Sequence, residues 1–171
     1  RRMEPYNIAW IEDMIPWIYT DQYVRLKNST TIPICTGEDI YLKEGFVELI
    51  KAGAVSIIHP DILTCGGALE LKKIADIADE FGVAVAVHMA ESPIACMAAA
   101  HVCAAMRNVL AMEFHSVDVP WWSDIVVGLP KPIIQDGYCT VPDKPGLGID
   151  ALNEEVIKEH INPQIPGMWE D

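Results

Sequence analysis

Short apolar runs alternate with longer amphipathic stretches along most of this chain. The runs are Asn7 to Trp10, Ile32 to Thr36, Val55 to Ile58, Val83 to Val87 and Val109 to Met112, and they carry few charges on either face. Strands of a parallel sheet covered on both faces have this pattern. The stretches between them read as helices with marked ends. Asp39 is placed to cap a helix carrying Leu42, Phe46, Leu49 and Ile50 on one face, and Gly53 stands where a left-handed residue would end it. Gly66 or Gly67 opens a second helix, with Leu71, Ile74, Ala78 and Phe81 on one stripe and Gly82 past its end. Ser92-Pro93 starts an alanine-rich helix through Ala105, and a shorter helix follows Asp21. Residues 128–148, rich in Pro and Gly, predict turns and a short hairpin, with Asp150 capping a last helix through His160.

Strand, loop, helix and strand at this regularity make βα units, in either an open doubly wound sheet or a barrel. No G-x-G-x-x-G or G-x-x-x-x-G-K-[ST] follows any run, so a nucleotide-binding sheet loses its main support. Composition narrows the field further. Of 171 residues 51% are hydrophobic and 22% charged, and the formal net charge is −13. A disordered chain lacks that much apolar surface, and a nucleic-acid binder is normally basic. A membrane span needs ~20 apolar residues in a row, which no stretch approaches. The length alone suggests one domain. Cys35, Cys65, Cys96, Cys103 and Cys139 form no C-x-x-C pair and read as free thiols of a reducing compartment. Arg1-Arg2-Met3-Glu4-Pro5 is no signal peptide, so the expected location is cytoplasmic.

The chemistry lies at the run ends. Glu12, Glu38, Asp61, His88 and Glu113 stand one at the end of each run, separated by 26, 23, 27 and 25 residues, about one βα unit each time. In a parallel barrel those ends share one mouth. Taken singly, each has an ordinary alternative: Glu38 as a first-turn acid, Asp61 as a turn residue, His88 as a core histidine. Glu12 and Glu113 follow apolar runs and are harder to dismiss, because carboxylates are almost never buried unpaired. The common spacing favours a joint role. Glu12 and Glu38 offer hard oxygen ligands suited to Mg²⁺, whereas no His or Cys spacing suits zinc. Asp61 can accept a hydrogen bond from His88 and make it a general base or acid near neutral pH. Such a pair beside Mg²⁺ suits removal of the proton α to a carboxylate, with the metal and Glu113 stabilising the enediolate.

The stretches W10-I-E-D13, T36-G-E38, H59-P-D61 with G66-G67, V87-H88, M112-E113-F114 and P145-G-L-G148 resemble the enolase superfamily, in its mandelate racemase-like (mandelate racemase/muconate lactonizing enzyme) subgroup, over essentially the whole chain. The resemblance implies a TIM-type (β/α)7β barrel of which this chain carries about strands 4 to 8. Residues 1–127 would be the C-terminal portion of that barrel, and 128–171 a segment returning towards an α+β capping domain. It further implies Glu12 and Glu38 as metal ligands, Asp61 and His88 as the dyad, Glu113 as the acid facing the intermediate, a small carboxylate substrate and a homo-oligomer. The family's first metal ligand and its Lys-x-Lys have no counterpart here, so an N-terminal part of the same protein is expected to supply them. Independently, a barrel needs about 250 residues, and five strands alone would leave two open apolar edges.

Dehydration of an acid sugar (aldonate or aldarate) is the expected reaction. Racemisation or epimerisation of a 2-hydroxy acid is the alternative, and a non-catalytic metal-binding barrel subunit a second one. His59, in phase with Asp61, lines the mouth as a substrate contact or merely packs, and His115 has the same two readings. Trp121-Trp122 is expected to pack between domains or shape the pocket.

Overall fold

Each strand of this protein is extended on only two to four residues, and what aligns the strands is the run of parallel pairings from one to the next. The computed structural model describes residues 1–164. In chain order the elements are β1 (Ile11–Glu12), α1 (Thr20–Ser29), β2 (Ile34–Thr36), α2 (Leu42–Lys51), β3 (Ile57–Ile58), α3 (Ala68–Glu80), β4 (Ala84–Val87), α4 (Pro93–Cys103) and β5 (Val109–Met112). These five strands form one parallel sheet in the order β1-β2-β3-β4-β5. Two antiparallel pairs follow, β6 (Val126–Val127) with β9 (Ala151–Leu152) and β7 (Ile134–Gln135) with β8 (Tyr138–Cys139), the second being the expected hairpin; α5 (Glu154–His160) closes the described chain. No helix among the described residues is long and apolar enough to cross a membrane.

Alternation along the strands separates two faces. Ile34, Ile58, Val85 and Val87 meet Phe46, Leu49, Leu71, Ile74 and Ala78 from the helices in the principal core. Burial of an aliphatic or aromatic side chain of this size stabilises by about 1.5–3 kcal/mol. On the opposite face Cys35, Ile57 and Ala86 form a small separate cluster with Trp10 and Ala84. Small residues there leave room above the sheet for larger polar ones.

Several element ends differ from the sequence reading. The first strand is not Asn7 to Trp10: Glu4–Tyr6 is a 3-10 turn with Pro5 inside it, Asn7 is left-handed, and pairing begins only at Ile11. Asp39 does not cap α2, whose N-cap is Tyr41. The acceptor comes from another helix, since the Lys43 N–H donates to the Glu70 carboxylate at 3.0 Å. Phe81 is no part of the α3 stripe; it follows the last helical turn and is 49% exposed. α4 ends at Cys103 rather than Ala105. Asn153, not Asp150, caps α5 by accepting from the Val156 N–H, while Asp150 faces Lys144. Trp122 packs inside this chain, in a second core with Met89, Cys96 and Met97, and Trp121 lies against the His160 ring. Gly53 and Gly82 are left-handed just past α2 and α3, where expected.

Gly37, between β2 and Glu38, has φ +148, and a Cβ there would lie 2.9 Å from both the His59 nitrogen and Phe46 Cε1. A Gly37→Ala substitution should therefore destabilise by about 2 kcal/mol or more, read as a lowered urea midpoint with an unchanged m-value.

Candidate active site

Asp61 and His88 meet first through their backbones, in an isolated parallel bridge just beyond β3 and β4. The His88 N–H donates to the Pro60 carbonyl at 3.2 Å. Their side chains then lie side by side, with His88 Nδ1 2.8 Å from Asp61 Oδ2. The other oxygen, Oδ1, accepts the N–H groups of Leu63 at 2.6 Å and Thr64 at 3.0 Å. Asp61 is 1% exposed. Burial works against its charge, but hydrogen bonds from Glu91, His88, Thr64 and Leu63 together hold its carboxyl below the usual range. An ionised carboxylate only accepts, so the shared proton sits on His88 Nδ1 and Nε2 faces outward.

That Nε2 lies 3.1 Å from Glu38 Oε2 and 3.9 Å from Glu113 Oε2. Burial alone would lower the His88 pKa; the Asp61 hydrogen bond and the charges of Glu38, Asp61 and Glu113 outweigh it and raise the pKa. Glu38 is carried by the loop after Gly37, and the Thr64 hydroxyl donates to its carbonyl at 2.9 Å, tying that loop to the Asp61 turn.

Glu12, Asp13 and Glu38 place carboxylate oxygens within 4.8 Å of one another. The Trp10 indole N–H donates to Glu12 Oε2 at 2.9 Å and orients it. Asp13, at φ +47, turns back towards the same point. Burial, then the neighbouring charges of Glu12 and Asp39, raise its pKa against the Thr36 hydrogen bond and the nearby His59. Three hard oxygen donors on one point can hold a divalent cation of the Mg²⁺ type.

His59 is fully buried beneath this group. Its Nδ1 is 2.5 Å from the Ala86 carbonyl and must donate to it. Its Nε2 lies 3.5 Å from Glu12 Oε1 and 3.2 Å from Glu113 Oε2. It thus packs under the carboxylates rather than standing open in the mouth. His115 is 54% exposed, with Nε2 3.1 Å from Glu113 Oε2. All seven residues singled out from the sequence therefore gather at one end of the sheet. Sequence reasoning missed Asp13 and Glu91. The signals were there: Asp13 directly follows Glu12 at a strand end, and Glu91 stands three residues after His88.

The chain matches the family described as enolase C-terminal domain-like over residues 1–156. It is 42% identical to the D-xylonate dehydratase of Haloferax volcanii, over 93% of this chain and 38% of that one. It is 32% identical to the D-galactonate dehydratase of Cronobacter sakazakii, over 92% of this chain and 42% of the relative. Among solved structures, a mandelate racemase/muconate lactonizing enzyme-like protein from Rubrobacter xylanophilus superposes with a TM-score of 0.90 at 39% identity, covering 95% of this chain and 41% of that one. The 3,6-anhydro-D-galactonate cycloisomerase from Zobellia galactanivorans gives 0.83 at 34%, covering 95% and 45%. The chain thus spans about two fifths of the length of the curated relatives it matches.

Replacing Asp61 by Asn removes an ionised acceptor from buried donors and should cost about 1–3 kcal/mol at neutral pH. The folded-state pKa of Asp61 is depressed, so its contribution is present above the unfolded value of about 3.9 and is lost as pH falls through the folded pKa. The stability gap between wild type and Asp61→Asn, measured by denaturant unfolding, should therefore narrow in acid.

Proposed function

We propose, since this chain belongs to the enolase C-terminal domain-like family, that it is the catalytic barrel portion of an acid-sugar dehydratase. The family's fold is a TIM-type barrel, and the parallel sheet described above is a segment of one. The observation that most supports the reaction is the His88 imidazole, held at Nδ1 by Asp61 at 2.8 Å with Nε2 facing Glu38 and Glu113. The names of the two dehydratase relatives support the choice of dehydration and of an aldonate substrate.

In this reading the Asp61 carboxylate fixes the His88 tautomer, so that Nε2 carries the lone pair. Nε2 removes the proton α to the substrate carboxylate. The resulting imidazolium, stabilised by Asp61, then returns a proton to the departing β-hydroxyl. Water leaves, and the enol product becomes a 2-keto-3-deoxy acid. Glu113, acting as an acid, donates a hydrogen bond to the substrate carboxylate as charge builds on it. His115, open to the mouth beside Glu113, contacts substrate hydroxyls. Glu12, Glu38 and the adjacent Asp13 would hold Mg²⁺, a hard cation that matches their all-oxygen donor set. Bound there, Mg²⁺ supplies positive charge against the developing enediolate.

β1 and β5 are the two outer strands of the sheet, each paired on one side among the described residues. In our reading an N-terminal part of the same protein pairs their free sides and brings the remaining metal ligand. Residues 1–127 are then barrel. Residues 128–171, of which 165–171 lie outside the described residues, are the segment directed towards a capping domain.

The test is a panel of five- and six-carbon aldonates and aldarates, assayed for keto-acid formation and for solvent deuterium at the α carbon. Keto acid from at least one of them is expected. Recovery of the opposite epimer without keto acid would defeat the dehydratase reading. His88→Asn should lower α-proton exchange by about 10²- to 10⁴-fold while leaving Mg²⁺ binding, measured by calorimetry, unchanged.

A further inference from the structure

The Asp61 carboxylate has a second side-chain neighbour, Glu91, which the reaction above does not use. Glu91 Oε1 lies 3.9 Å from His88 Nδ1, and polar atoms of Asp61, His88 and Glu91 all fall within 4.8 Å of one another. The residue is held in place from two directions. The Ala90 N–H donates to Glu91 Oε2 at 3.0 Å, and the indole N–H of buried Trp122 donates to the Glu91 carbonyl at 2.8 Å. Two carboxyl groups therefore stand on the Nδ1 side of one imidazole, while Glu38 and Glu113 face Nε2.

Two carboxyl groups this close do not both ionise readily, so one keeps a proton. Which one follows from the donors each receives. Asp61 takes the N–H groups of Leu63 and Thr64 and the Nδ1–H of His88. Glu91 takes the N–H of Ala90 and its own but no charged donor, and its side chain is 27% exposed. The charge thus belongs on Asp61 and the proton on Glu91. Burial and then the hydrogen bond with Asp61 push the Glu91 carboxyl above its usual range, while Asp61 stays below its own.

We propose that Glu91 is a positioning residue: a neutral carboxylic acid that donates a hydrogen bond to Asp61 and fixes the carboxylate that in turn orients His88. Glu91 does not reach the reacting atoms. Its O–H and the His88 Nδ1–H share the Asp61 acceptor, so the carboxylate is gripped by donors from its own turn and from both residues beyond β4. The kinetic consequence rests on the reading of His88 as the base, whereas the protonation of Glu91 does not.

The experiment has two arms on the intact protein. In the first, glutamate carboxyl carbons are labelled with ¹³C and followed by NMR against pH, the Glu91 signal being assigned by its loss in Glu91→Gln. Glu91 should remain protonated at a pH where the exposed glutamates have ionised, and Asp61→Asn, which removes the neighbouring charge but not the burial, should narrow that difference. Titration of Glu91 together with the exposed glutamates would overturn the proposal. In the second arm, Glu91→Gln, whose amide N–H replaces the donor, should keep kcat within about twofold. Glu91→Ala should lose about tenfold in kcat with KM little changed, the worth of one hydrogen bond to a charged group. Equal losses in both variants, or a change confined to KM, would also overturn it. A protein that forms no keto acid but keeps Glu91 protonated would defeat the dehydratase reading and leave this inference standing.

Discussion

The hydrogen bond between His88 and Asp61 depends on the register of two short strands. β3 and β4 pair Ile57 with Ala84 and Ile58 with Val85, and the same alignment carried three residues further sets Asp61 opposite His88. A slip of one residue would turn either side chain to the other face of the sheet, among the helices. The pairing is secured by the core behind it, where Ile58, Val85 and Val87 meet Leu71 and Ile74. Packing on the helical face thus fixes the geometry of a polar pair on the opposite end.

Glu113 reaches the same group by a different device. Val85 pairs with Val109, but Ala86 pairs with Ala111, so Leu110 is an extra residue in β5 and is 54% exposed. This bulge advances the strand by one residue, and the Glu113 N–H donates to the Val87 carbonyl at 2.9 Å. With unbroken pairing Met112 would stand opposite His88, and Glu113 would project out of phase with Asp61 and His59. The small side chains of Cys35, Ala84 and Ala86 then matter, because they leave space for the His59 ring under Glu12 and Glu113.

What could be read from the sequence is what local chemistry decides. Runs such as Val83 to Val87 read as strands because few charges interrupt them, and Ser92-Pro93 as a helix start because proline suits the first turn. The five run-end residues were legible because one βα unit separates each from the next. The misses depend on contacts remote in sequence. α2 starts at Leu42 because Glu70, on the next helix, accepts from the Lys43 N–H. Trp122 is buried because its indole finds the Glu91 carbonyl and its ring meets Phe114. His59 lies under the mouth because Ala86, on the neighbouring strand, takes its Nδ1–H. Spacing alone does not register the bulge at Leu110 either.

The acidity at this end of the sheet is met in two different ways. Around Asp61 the protein supplies its own donors: two backbone N–H groups, an imidazole N–H and the Glu91 carboxyl. Around Glu12, Asp13 and Glu38 it supplies few. Trp10 donates to Glu12, Thr36 hydrogen-bonds Asp13, and His59 and His88 approach Glu12 and Glu38, but among the described residues no lysine or arginine forms an ion pair with any of the three. Asp13 registers the imbalance, its carboxyl held up by burial and by the charges of Glu12 and Asp39. One half of the site is therefore satisfied by donors of its own, which suits the aimed base proposed for His88. The other half remains electrostatically open, and a cation placed there would relieve the mutual repulsion of its carboxylates and convert an anionic surface into one that would attract the carboxylate substrate proposed above.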